Sequence, residues 1–106
     1  MQKINKELLK GSVAILVLSV LREEPRYGYQ IARELRSRSR EVFTLGEGTL
    51  YPLLHKLQQE GMLESYWKEV GGRRRKYYAI TGQGRQALTA KAAEWRVFSQ
   101  AMDHVM

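Results

Sequence analysis

At Gly61 the hydrophobic period of this chain switches from that of a helix to that of a strand, and few small folds accommodate such a switch. Before it, Thr44–Gly61 reads TLGEGTLYPLLHKLQQEG. Leu50, Leu53, Leu54 and Leu57 fall at i, i+3, i+4 and i+7, a single apolar stripe on a helix. Thr49, Tyr51, His55, Lys56, Gln58 and Gln59 occupy the other side, uncharged to basic and able to hydrogen-bond. Gly46 and Gly48 open the segment, and Gly61 stands where a left-handed C-cap ends it. Pro52 has no N–H, so it is expected in the first turn, with Thr49 as N-cap. After Gly61, Met62–Lys68 and Arg73–Ile80 are short aromatic-rich runs separated by Glu69-Val70-Gly71-Gly72, the pattern of a β-hairpin. Tyr78 and Ile80 share one face of the second strand. Arg73, Arg74, Arg75 and Lys76 put a run of positive charge at and just after the loop. Alone, the stripe is an ordinary amphipathic helix and the charge run a solvated edge that blunts strand pairing.

The remaining elements are helical. Residues from about Asn5 to Glu24 form a first helix, in which SVAILVLSVL is apolar almost all round and must be covered on more than one side. Pro25 ends it, and Arg26-Tyr27-Gly28-Tyr29 is read as a turn. A second helix covers Tyr29 to about Ser37, with Ile31 and Leu35 inward and Arg33, Arg36 and Arg38 outward. A polar loop, Ser37–Glu41, precedes the third helix. Thr81 then caps a last helix, in which Leu88, Ala92, Trp95, Ser99, Met102 and Met106 alternate spacings of 4 and 3 as in a heptad seam, widened by Phe98, Ala101 and Val105. With no further chain to cover it, a second subunit is the expected partner. Val13 and Leu16 of the first helix are assigned to the same dimer interface as Leu88, Ala92, Trp95, Phe98 and Met102.

Composition narrows the function classes. In 106 residues, 18 Lys and Arg face 11 Asp and Glu, a net charge of +7, which suits a polyanionic partner once the charge clusters. The chain contains no cysteine, so disulfides, thiolate zinc sites and cysteine catalysis fall away together. His55 and His104 lie far apart with no carboxylate at ligand spacing, and no nucleophile motif or phosphate-binding glycine loop is present. No enzyme, metal or cofactor is expected. Lys3, Lys6 and Lys10 before apolar Val13–Leu18 faintly imitate a signal peptide. Arg22, Glu23 and Glu24 follow in place of a cleavage site, and the run falls short of the roughly 20 residues that span a membrane. A cytoplasmic location is the expectation.

The order helix, helix, helix, hairpin, long helix is that of a winged helix-turn-helix with an added C-terminal dimerisation helix, a mainly α (α+β) fold. The expected division is residues 1–80 for nucleic-acid binding and 81–106 for dimerisation. A helix of this kind fits the major groove of B-DNA, about 12 Å wide, with the second helix crossing behind it and the hairpin reaching along the backbone. Gly48, Thr49, Tyr51, His55 and Lys56 would look into the groove, and Arg73–Lys76 would meet phosphates or the minor groove. A protein-binding adaptor is the alternative, though it has no need of these two features together. RNA binding would call for an RNP-like or GXXG element, which is absent.

GTLYPLLHKLQQEGMLES at Gly48–Ser65, GGRRRKYYAIT at Gly71–Thr81 and YGYQIAREL at Tyr27–Leu35 resemble the short-chain members of the PadR family of bacterial transcriptional regulators. That resemblance covers nearly the whole chain. It implies a homodimeric repressor on an inverted-repeat operator in double-stranded DNA, joined through its last and first helices, which can also respond to a small hydrophobic or aromatic effector. Trp95 matches a tryptophan that some such proteins place in an effector pocket, whereas Ala92, one turn earlier, supplies no bulk to enclose a ligand. The other reading of Trp95 is a dimer-core anchor. The extended C-terminal domain of longer members has no counterpart, so their sensing of phenolic acids is not carried over.

Overall fold

The structure, a computed structural model, describes residue 9 and residues 11–106. The expectations placed on Lys3, Asn5, Lys6 and Lys10 lie outside the described residues. Helices α1 (Val13–Leu21), α2 (Gly28–Arg38), α3 (Glu47–Gln59) and α4 (Gly82–Val105) accompany strands β1 (Arg26–Tyr27), β2 (Leu63–Val70) and β3 (Arg73–Ile80). The strands form one antiparallel sheet in the order β1-β3-β2.

α1 is the hub. Its residues Val13, Val17, Leu18, Val20 and Leu21 are buried, packed among Ile31 and Leu35 of α2, Leu50, Leu54 and Leu57 of α3, Leu63 and Tyr78 of the sheet and Leu88 of α4. The all-round apolar sequence is thus met by three helices and a sheet within one chain. The helix ends at Leu21, three residues short of the expected Glu24, and Arg22 N–H closes it on Leu18 O at 2.9 Å.

The expected turn at Arg26-Tyr27 is instead β1, with Arg26 opposite Tyr78 and Tyr27 opposite Tyr77. Two residues are too few to show a period, and their partners lie some fifty positions further on. α3 ends as expected. Gly61 takes φ +80, its N–H reaches Gln58 O at 3.0 Å, and Met62 N–H reaches Leu57 O at 2.9 Å. These are the two bonds of a Schellman cap. The hairpin loop is shorter than expected. Only Gly71 and Gly72, with φ +59 and +78, lie between the strands, the positive angles a two-residue type I′ turn demands. Thr81 caps α4 as expected, its Oγ1 accepting from Gly84 N–H at 3.0 Å and donating to Gly61 O at 2.6 Å. One hydroxyl therefore ties the start of α4 to the end of α3.

Beyond Leu88 the long helix leaves the body of the protein. Trp95 is 49 % exposed, Phe98 60 % and Met102 43 %, while Ala92 is half-buried. Val13 and Leu88, by contrast, are only 5 % and 3 % exposed. These two residues were expected at a dimer interface but belong to the core of a single chain, where they support a surface without forming it. Leu16 is half-buried.

Candidate nucleic-acid interface

α3 presents one face to the core and the other to solvent because Leu50, Leu54 and Leu57 are buried while Gly48, Thr49, Tyr51, Pro52, His55, Lys56 and Gln59 are exposed. His55 and Lys56 have no ion-pair partner among the described residues. The start of the helix differs from expectation. Gly46 is the N-cap and Pro52 lies inside the helix, so Thr49 stands in the first turn and Pro52 in the second. Gly46 O accepts from both Thr49 N–H at 3.1 Å and Leu50 N–H at 3.0 Å, which starts the helix before Thr49. Pro52 then has no N–H for the Gly48 carbonyl four residues earlier. That carbonyl is left as an acceptor on the exposed face.

Tyr51 also departs from a simple groove-facing assignment. A methyl group at Gly28 would meet its hydroxyl, with Tyr51 Cζ at 2.7 Å and Cε1 at 2.8 Å. The phenol therefore lies over the first residue of α2 and braces one helix against the other, with 44 % of the residue still exposed. Burial, with a smaller effect of the nearby Tyr51 phenol, pushes the Tyr78 hydroxyl above its ordinary pKa.

On the wing the strand pleat divides the four cations. Register pairs Val70 with Arg73, Glu69 with Arg74, Lys68 with Arg75 and Trp67 with Lys76, so Arg73 and Arg75 share one face and Arg74 and Lys76 the other. The second face is continuous with the core residues Leu63 and Tyr78. There the Arg74 guanidinium lies 5.0 Å from the Trp67 ring centroid, and Lys76 Nζ lies 5.7 Å from that of Tyr78. The opposite face carries a row of tyrosines, one from each strand. Tyr27 meets Tyr77 edge-on at 5.5 Å, and Tyr66 stacks on Tyr77 at 5.8 Å. Arg75 sits 4.4 Å over Tyr27 and Lys68 5.4 Å over Tyr77. Arg75 and Lys76 are half-buried, whereas Arg73 and Arg74 at the tip are exposed. Any one approaching surface thus meets alternate members of the run. Trp67, 57 % exposed, and Lys68 join the wing's charged surface without having been singled out in the sequence. Their cross-strand partners identify them once the hairpin register is known.

Of the outward arginines expected on α2, Arg38 is engaged. It holds Glu23 through Nη1 at 2.7 Å and Nη2 at 2.5 Å, and its Nε donates to Glu34 at 3.0 Å. The Arg38 hydrogen bond holds the Glu23 carboxyl below its usual range, and Glu23 in turn binds the Arg38 proton more tightly. No group of three or more His, Cys, Asp or Glu side chains that could hold a metal occurs among the described residues. Among them, no helix is long and apolar enough to cross a membrane.

Comparison with known proteins agrees with this geometry. The sequence model of the "Transcriptional regulator PadR-like family" matches residues 17–90. The chain is 36 % identical to Transcriptional regulator Rv3488 of Mycobacterium tuberculosis, over 79 % of this chain and 76 % of that one. Its fold superposes on a transcriptional regulator from Clostridium thermocellum with a TM-score of 0.88 at 31 % identity, covering 93 % and 97 % of the two chains. A PadR family regulator from Eggerthella lenta gives 0.83 at 36 % identity, covering 93 % and 85 %.

Proposed function

Since the chain belongs to the PadR-like family of transcriptional regulators, we propose that it binds an inverted-repeat operator in double-stranded DNA as a homodimer and represses transcription by occupying it. Residues 1–80 form the DNA-binding part in this reading, and 81–106 the dimerisation helix. The observation that carries it is the juxtaposition of two surfaces. The outer face of α3, with Gly48, Thr49, His55 and Lys56 exposed, stands beside a wing whose Arg73 and Arg74 project at the tip. His55 and Lys56 offer donors to base edges and phosphates, while Tyr51 sets the angle at which α3 is presented. Arg73–Lys76 supply the electrostatic part of the affinity.

The exposed side chains of Trp95, Phe98 and Met102 supply the dimer surface. A two-fold partner would place the two copies of α3 about 34 Å apart, one turn of B-DNA. A small aromatic effector bound near Trp95 would act by favouring one spacing of those helices over another. The site of action is the cytoplasm.

The test is a salt-titrated binding assay using the DNA upstream of the protein's own gene against a scrambled duplex. Strong preference for the upstream DNA, with one dimer per inverted repeat, supports a specific regulator. Equal and weak binding to both, abolished by salt, would refute it and favour a winged-helix adaptor.

A further inference from the structure

The α2 surface holds a feature that α3 and the wing leave unused. Tyr29, Arg33 and Arg36 fall at i, i+4 and i+7 and share one face of α2. With Ala32, and with Thr44 and Leu45 from the segment entering α3, they line a small half-open cleft of about 60 Å³. That is far below the roughly 300–1,000 Å³ of sites for drug-sized ligands, so a planar effector does not fit. It does suit a small, compact ion.

The lining contains no acidic side chain. Neither Arg33 nor Arg36 enters an ion pair among the described residues, in contrast to Arg38, which Glu23 and Glu34 neutralise. The Arg33 guanidinium lies 5.8 Å from the Tyr29 ring centroid, so its head is held at the mouth of the cleft by an aromatic face and not by a carboxylate. The Thr44 hydroxyl, which donates to Glu41 O at 3.1 Å, keeps lone pairs and can reorient to donate. α3 begins two residues beyond, at the Gly46 N-cap, so its positive end adds to the same field.

We propose that this cleft is a seat for a phosphate group, held by the Arg33 and Arg36 guanidinia with the Tyr29 and Thr44 hydroxyls. This rests on the DNA-binding reading for the source of the phosphate. The cleft stands at the N-terminal end of the helix assigned to the groove, where backbone phosphates form the groove wall. Guanidinium forks match phosphate oxygens in pairs. A phosphate fixed there sets the register of α3 along the duplex without reading a base.

The experiment measures binding of specific duplexes in which a single backbone phosphate is replaced by a neutral methylphosphonate. It uses the intact protein, the Arg33→Gln/Arg36→Gln variant and Arg96→Gln as a charge control. Both cleft arginines are exposed and unpaired, so folding is expected to survive, and circular dichroism verifies it. For the unmodified protein, one phosphate position per half-site should weaken binding about tenfold when neutralised. The double variant should lose that dependence and show a salt slope reduced by about 2, roughly 1 for each cation removed. Arg96→Gln should keep the dependence.

A second arm titrates inorganic phosphate against chloride at constant ionic strength, following the amide resonances of Ala32, Thr44 and Leu45. Saturable shifts there, abolished in the double variant but without coupling to any duplex phosphate, would keep the seat and assign it to a free phosphate or a phosphorylated small molecule. Absence of both the duplex coupling and the phosphate shifts would overturn the proposal. Should the chain show no specific duplex binding, the regulator reading fails, and the phosphate titration still decides the seat.

Discussion

Replacing Gly28 by alanine puts a methyl group where the Tyr51 phenol already lies, because the added carbon would sit 2.7 Å from Cζ and 2.8 Å from Cε1 and closer still to the hydroxyl. Adding a methylene to occupied space costs about 1–3 kcal/mol. Alanine's restricted unfolded state and better helix propensity return about 0.5–1 kcal/mol. The net expectation is a loss of about 1–2 kcal/mol, and in a domain of this size each kcal/mol moves Tm by roughly 4–8 °C. The assay is a thermal double-mutant cycle at fixed protein concentration with Gly28→Ala, Tyr51→Ala and both. Removing the phenol opens the space, so Gly28→Ala should become neutral or mildly stabilising in the Tyr51→Ala background, a coupling of about 2 kcal/mol. Because the phenol braces α3 on α2, Gly28→Ala should also weaken specific DNA binding more than binding to scrambled duplex. A single Gly28→Ala variant as stable as the parent, or effects additive to within about 0.5 kcal/mol, would refute the packing argument.

Other perturbations address the remaining parts. Arg38 holds Glu23 below its usual range, so the stability this provides is present above the ordinary carboxylate pKa of about 4.5 and is lost as pH falls through the lower folded-state value. Glu23→Gln should therefore flatten the fall of Tm between about pH 5 and pH 2 relative to the parent. Arg74→Ala should reduce the salt slope of duplex binding by about 1 and weaken all sequences alike, measured by fluorescence anisotropy at several salt concentrations; an unchanged slope removes that guanidinium from the interface. Truncating Trp95 and Phe98 together to alanine removes two exposed apolar anchors, each worth about 1.5–3 kcal/mol when buried. Sedimentation should show dimer dissociation weakened by a hundredfold or more, with circular dichroism unchanged.

The parts of this fold that could be read from the sequence are those whose physics is local. The Leu50–Leu57 stripe, the left-handed cap at Gly61, the Gly71-Gly72 turn and the Thr81 cap each depend on residues within a few positions of one another, and each stands where the sequence places it. The parts that could not be read depend on pairing at a distance. β1 exists only because Arg26 and Tyr27 lie against Tyr78 and Tyr77, and the tyrosine row follows from that same register. Glu23 captures Arg38 across fifteen positions, which removes one cation from a helix face that looks uniformly basic in sequence. Tyr51 sits on the outer half of α3 by periodicity, yet its ring is long enough to reach Gly28. The pleat dividing Arg73–Lys76 was available in principle, since alternation follows from any strand assignment. A run of like charges reads as one patch only while its backbone is ignored.

The most direct measurement of the account is hydrogen exchange of the intact protein with and without a specific duplex. It predicts slowed exchange in α3 from Gly48 to Gln59 and in the wing from Trp67 to Lys76, with α4 beyond Trp95 unchanged by DNA. Slowing confined to α4, or no difference at α3 and the wing while the duplex is demonstrably bound, would contradict it.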